Sequence, residues 1–196
     1  VRLPKDGKGI ADRDVVEIIT PGTVVEEDFL DRGMNNYLAS LASVKGGLSF
    51  GVVDISTGEF LVTFIPPDRN IDGLKKEMVR LYPRELLVQE SLLNEEEEIK
   101  KIIMNRKDLV INALPDWSFD REVSYARIKD LFHVSNLKGF GFDEDDPELT
   151  AAGVLIEYLE ENAKSILGHI EGIKKYSDRD FLSLDESTLR NLELVQ

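Results

Sequence analysis

Two apolar runs, residues 48–55 (LSFGVVDI) and 59–65 (EFLVTFI), are joined by Ser56-Thr57-Gly58 alone. Runs rich in β-branched and aromatic residues form extended chain, and a short link carrying glycine closes two of them into an antiparallel hairpin. Pro66-Pro67 ends the second arm, and residues 36–43 (NYLASLAS), closed by Gly46-Gly47, supply a strand ahead of the first. Beyond Ile71 the apolar period changes. Leu74, Met78 and Leu81 share one helical face until Pro83 stops the helix. A short apolar strand at 85–89 (ELLVQ) precedes a helix over 92–106. That helix turns Leu92, Ile99, Ile102 and Ile103 inward and the run Glu95-Glu96-Glu97-Glu98 outward. Residues 109–114 form a further strand ended by Pro115. Helices follow at 120–132, with Tyr125, Ile128 and Phe132 on one side, and at 149–162.

Hairpin strands pair directly, whereas strands separated by helices pair through crossovers. The order therefore predicts an α/β domain, a mixed β-sheet flanked by helices on both faces. That is the arrangement of the ribonuclease H-like fold, which by itself fixes no function. Outside this block the pattern is sparser. Residues 1–12, with Pro4, Gly7 and Gly9, read as a linker, and residues 13–20 (RDVVEIIT) as extended chain stopped by Pro21-Gly22. Residues 138–147 form a Gly- and Asp-rich loop. The pattern weakens at Gly168 and Gly172, then reads extended at 181–184 and helical at 186–194. The expected division is a linker over 1–12, the main domain over 13–164 and a mainly helical segment over 165–196.

Charge excludes several functions. The 196 residues carry 24 Lys+Arg against 38 Asp+Glu, a net charge of −14. Nucleic acid binding draws most of its affinity from Lys and Arg that neutralise phosphates, so this chain is a poor DNA binder on its own. The absence of Cys removes disulfides, thiolate metal sites and cysteine nucleophiles. His133 and His169 lie far apart in sequence, which disfavours zinc. No apolar run approaches the ~18 residues that span a bilayer, and no signal peptide opens the chain. The expectation is a cytoplasmic protein without membrane association. Val1 in place of Met suggests a piece of a longer chain.

The phosphate-binding pattern G-x-x-x-x-G-K-[ST] is absent, and Gly139-Phe140-Gly141 is a turn rather than the start of a dinucleotide fingerprint. Neither a cofactor site nor a metal site is expected, and no catalytic residue. One enzymatic alternative attaches to the fold. Ribonuclease H-like nucleases gather carboxylates at strand ends to hold Mg²⁺, and Asp54 and Glu59 flank the hairpin turn. An Asp ahead of Ser-Thr-Gly more often accepts hydrogen bonds from turn N–H groups, and LSFGVV lacks a strand-centre acid. His133, at a helix end, suits capping of terminal carbonyls. Phe142-Asp143-Glu144 matches a Phe-x-Glu pattern that can wedge into a mismatched base step, but it lies in an acidic loop and reads as accidental.

A set of short matches goes further. Residues 14–23 (DVVEIITPGT), Leu30-Asp31, Asn36-Tyr37-Leu38-Ala39, the hairpin 54–60 (DISTGEF) and Leu81-Tyr82-Pro83-Arg84-Glu85-Leu86-Leu87 come first. Trp117-Ser118-Phe119, Leu137-Lys138-Gly139-Phe140-Gly141, Ala151-Ala152-Gly153, Tyr158-Leu159, His169-Ile170, Leu184-Asp185 and 190–194 (RNLEL) follow in order. In sequence and spacing this series resembles the connector domain of the MutS family of DNA mismatch repair proteins, with its flanks. Where that family commonly has Thr-Arg-Arg, the chain reads Thr188-Leu189-Arg190.

The resemblance implies an internal fragment, comprising the linker after a mismatch-reading domain, the connector, and the opening of a helical lever and core domain. It implies a non-catalytic module joining mismatch-binding and ATPase parts. ATP and Mg²⁺ would belong to the full-length homodimer, and mismatched DNA would be contacted only through domains missing here. It also implies docking of a MutL-like protein on the helix over 120–132. Ala126 and Arg127 align at the family's contact point, so the surface carries over rather than its polar side chains. Helical geometry independently puts Ala126 and Asp130 opposite Ile128, with Arg127 and Lys129 flanking. These four are the expected partner-binding residues.

Overall fold

The tight link between the first two strands rests on Gly46 at φ 88 and on Gly47, where a Cβ would meet the Ile65 carbonyl oxygen at 2.2 Å. A computed structural model of the chain describes residues 36–177. Within them β1 (Tyr37–Val44), β2 (Gly47–Asp54) and β3 (Phe60–Ile65) form an antiparallel meander. Helix α1 (Asn70–Arg80) crosses to β4 (Glu85–Gln89), which pairs with β1 in parallel. Helices α2 (Glu90–Glu95) and α3 (Glu97–Met104) lead to the edge strand β5 (Val110–Leu114), parallel to β4. Then come α4 (Arg121–Phe132), α5 (Leu149–Asn162), α6 (Lys164–Leu167) and β6 (Lys174–Lys175), which adds to β3 in parallel. The sheet runs β5-β4-β1-β2-β3-β6, the mixed topology expected of the ribonuclease H-like fold.

Strand alternation sorts the core into two layers. Leu38, Ala42, Val53, Phe60, Val62 and Leu87 face Ile128 of α4 and Ala152, Leu155, Ile156 and Leu159 of α5. Ala39, Leu41, Phe50, Val52, Leu86 and Val88 face Leu74 and Met78 of α1 and Ile99 and Ile103 of α3. Each fully buried Leu or Phe contributes roughly 1.5–3 kcal/mol, so both helical layers are held chiefly by this apolar burial. Helix α5 crosses the sheet over Gly51, where a Cβ would meet Leu155 at 3.2 Å and Ala151 at 3.3 Å.

Two expectations need correction. The helix expected over 92–106 is interrupted at Glu96, which leaves helical geometry at φ −109, ψ 84. An unbroken helix would set Glu95 and Glu98, three positions apart, side by side on one face, where like charges repel. The break instead puts Glu97 and Glu98 in the first turn of α3, where the helix dipole favours negative charge. Second, the packing does not stop at the boundary drawn at 164/165. Ile166, Ile170 and Ile173 are buried in the α5 layer, and Tyr176 in the other. Lys175 bonds Asp146 at 2.9 Å and approaches Glu148 at 3.3 Å, while the Tyr176 hydroxyl donates to Glu77 at 2.8 Å. Residues 166–176 thus pack into the core of the sheet domain. The readings for 1–12, 13–20, 181–184 and 186–194 lie outside the described residues. Among the described residues, no helix is long and apolar enough to cross a membrane.

Candidate functional site

Helix α4 is fixed at both ends and along one face. Its N-cap Asp120 accepts a hydrogen bond from the Val123 N–H at 2.9 Å, satisfying one of the donors that a helix start leaves open. Arg121 ties that end to Asp145 at 2.7 Å and to the Glu144 carbonyl at 2.9 Å. On the inner face Ile128 is wholly buried, and the Ser124 hydroxyl donates to the Thr150 carbonyl at 3.3 Å. Gly153 of α5 lets the two helices touch, for a Cβ there would fall 2.2 Å from that of Ser124. The helix ends in a Schellman arrangement. The Val134 N–H bonds the Lys129 carbonyl at 3.0 Å and the His133 N–H bonds that of Asp130 at 3.3 Å, with His133 left-handed at φ 53. His133 thus closes the helix end with its backbone.

Of the four residues expected to meet a partner, Ala126 and Asp130 are exposed on the outer face. Lys129 is half-buried, its ammonium 4.7 Å from the centre of the Tyr125 ring. Arg127 is placed differently. Its guanidinium turns toward α5, bonding Glu157 at 3.0 and 3.3 Å, with Glu160 at 3.7 Å. Arg127 therefore braces α4 against α5 rather than standing free at the flank of the outer face. Sequence reasoning missed two neighbours. Val123, one turn before Ala126, is 51% exposed, and Trp117, just ahead of the helix, is 74% exposed. Trp is a favoured interface anchor, and a lone Trp in a sequence gives no sign of its own that it will stand outside the core.

The other candidates are placed as follows. Asp54 is fully buried at the end of β2. Its Oδ1 accepts from the Ser56 hydroxyl at 2.6 Å and the Ser56 N–H at 2.9 Å, the turn-stabilising role. Glu59 accepts from the Tyr37 hydroxyl at 3.1 Å. Both line an open cleft of about 870 Å³ together with Phe140 and His169. Among the described residues no three His, Cys, Asp or Glu side chains are grouped to hold a metal. Phe142 is 1% exposed in the core, so its ring is unavailable as a wedge. Gly141 takes φ 83, the turn conformation expected of the G-x-G.

Strand order and the helical layers on both faces define an α/β domain with a ribonuclease H-like fold. Residues 36–171 match the family model "MutS domain II". The chain is 41% identical to the DNA mismatch repair protein MutS of Treponema denticola, over 95% of its own length and 22% of the relative's. It is 39% identical to that of Alkaliphilus metalliredigens, over 96% and 22%. Against that of Borrelia turicatae it is 34% identical, over 99% and 22%. The chain belongs to the MutS family of DNA mismatch repair proteins, and it spans about a fifth of the length of these relatives.

Proposed function

We propose that this connector segment joins the mismatch-binding and ATPase parts of a MutS-like protein and docks a MutL-like partner on the outer face of α4. The observation carrying this reading is the exposed stripe Val123, Ala126 and Asp130, with exposed Trp117 ahead of it, on a helix whose inner face is locked to α5. A rigid helix presenting a central apolar strip suits an interface anchored by a few residues. ATP and Mg²⁺ would be taken by the full-length protein, which would act as a homodimeric ATPase. Mismatched DNA would be read by other domains, because a net charge of −14 opposes contact with phosphates. The setting would be the cytoplasm. The nuclease reading of Asp54 and Glu59 gains no support: Asp54 Oδ1 serves its own turn, and among the described residues no three His, Cys, Asp or Glu side chains are grouped to hold a metal.

The test measures association with a MutL protein, and thermal stability, on Ala126→Glu and Trp117→Ala. Both side chains stand outside the core, so stability should change by about 0.5 kcal/mol or less. Association should weaken at least tenfold, about 1.4 kcal/mol. Unchanged association at unchanged stability would move the docking site off this face.

A further inference from the structure

The charged groups of α4 are not treated alike. Arg121 is tied to Asp145 at 2.7 Å and Arg127 to Glu157 at 3.0 Å, so both guanidiniums are already met by carboxylates. Lys129 folds back onto the ring of half-buried Tyr125, which packs on the core. The exposed carboxylates of Glu122 and Asp130, by contrast, have no hydrogen bond or ion pair among the described residues. The fold accounts for Glu122, which lies in the first turn, where the helix dipole favours an anion. It does not account for Asp130. That residue lies in the last turn, where the same dipole opposes negative charge, and no cation is paired with it. A local rule broken without compensation is typical of functional positions.

Glu122, Ala126 and Asp130 follow one another at intervals of four residues, so they form one line along the helix. At a rise of about 1.5 Å per residue the two carboxylate positions stand about 12 Å apart along the axis, with the methyl of Ala126 midway. Val123, 51% exposed, lies beside this line, and Trp117, 74% exposed, stands ahead of it. Asp116 and Asp120 add negative charge at the same end, although each accepts a backbone hydrogen bond, from Ser91 at 3.1 Å and from Val123 at 2.9 Å. The outer face is therefore acidic around an apolar centre. Phosphates would be repelled there, and so would a second copy of this chain, whose net charge is −14.

We propose that the outer face of α4 binds a basic protein surface. Two cationic side chains of the partner meet Glu122 and Asp130, an apolar pocket takes Trp117, and the small Ala126 lets the two surfaces close between the charges. This rests on the docking reading above and names the chemistry of the partner that fits it. Trp117 and Val123 supply apolar area. The carboxylates set the register and speed the encounter, an effect that salt weakens. Bulk at Ala126 is unfavourable whatever its charge, so charge is tested at the two ends of the line.

In the 196-residue chain, Glu122→Gln combined with Asp130→Asn removes both charges and keeps the shapes. Association with a MutL protein should weaken about fivefold or more at low salt, mainly through a slower association rate, and should approach the parent's at high salt. Asp68→Asn with Asp72→Asn changes the net charge equally at exposed positions beside and within α1, in the layer across the sheet. That pair should stay within about twofold of the parent. Thermal melts establish that each variant is folded. Parental association of the α4 pair, or an equal loss in the Asp68 and Asp72 pair, would overturn the proposal. Trp117→Ala separates the two readings. Weakened association there, with parental binding of the α4 charge pair, keeps the docking face and removes its basic partner surface. Parental binding of both, or no association of the parent chain, removes the face itself and the proposal with it.

Discussion

The hydroxyl of Ser49, in the middle of the sheet, lies 3.0 Å from the backbone nitrogen of Ala151 and accepts its hydrogen bond. The same hydroxyl donates to the Glu148 carbonyl at 3.1 Å. A strand residue thereby caps a helix that begins about a hundred positions later, while the side chain of the N-cap residue Glu148 makes no capping bond. Ser49→Ala should destabilise the domain by about 1–2 kcal/mol, because a buried N–H and a buried carbonyl both lose their partner. Urea unfolding should show a lower midpoint at an unchanged slope. A midpoint equal to that of the parent would show that α5 starts without this bond.

Gly153 sets the separation of α4 and α5. A methyl there would sit 2.2 Å from the Cβ and 2.4 Å from the Cα of Ser124, and backbone cannot yield as a flexible side-chain end does. Gly153→Ala should cost about 3 kcal/mol, the upper part of the range for overpacking, despite the gain in helix propensity. Calorimetry decides: a melting temperature at or above the parent's would mean that the two helices are farther apart than described.

Alkaline stability should depend on Tyr176. Burial first, and the Glu77 carboxylate second, push its phenol well above the usual tyrosine range. An unfolded tyrosine ionises near pH ~10. Its contribution is therefore complete below that pH. Above it the unfolded state binds fewer protons than the folded one, and stability falls until the folded pKa is passed. Lys175 acts with the same sign. Burial alone would lower its pKa, but Asp146 and Glu148 outweigh burial and raise it. Tyr176→Phe should flatten the decline above pH ~10 by about 1.4 kcal/mol per unit, while losing about 1–3 kcal/mol at neutral pH with its bond to Glu77. Urea midpoints on both sides of pH ~10 supply the comparison. Parallel alkaline limbs would remove Tyr176 from the account.

The left-handed His133 offers a substitution of opposite sign. Glycine takes φ 53 without the Cβ contact that burdens other residues. His133→Gly should raise stability by about 0.5 kcal/mol, the strain relieved exceeding the entropy that glycine loses. Thermal unfolding gives the answer directly, and a lower midpoint would mean that the imidazole makes a contact worth more than the strain.

The strands were legible because their signals are local. β1 to β4 begin and end within a residue or so of what alternation, glycine pairs and prolines indicate, and α5 covers the expected 149–162. The missed features depend on partners distant in sequence. Nothing near Arg127 announces that Glu157 on another helix will turn its guanidinium inward, since a helical wheel sees only its own helix. The two residues of β6 become a strand because β3 offers an unpaired edge and Tyr176 finds Glu77. The break at Glu96 falls inside the run of four glutamates, a charge pattern that an apolar stripe does not record. The exposure of Ala126 and Asp130 was legible from the helical period, and that of Trp117 was not, because sequence alone reads a lone Trp as core.

Hydrogen exchange of the intact chain, with and without a MutL protein, tests the docking account most directly, because it maps the contact without altering a residue. Binding should slow exchange in 116–132, most strongly from Trp117 through Asp130, and leave the hairpin 47–65 unchanged. Slowing confined to other segments, with 116–132 exchanging as in the free chain, would contradict the assignment of α4 as the docking helix.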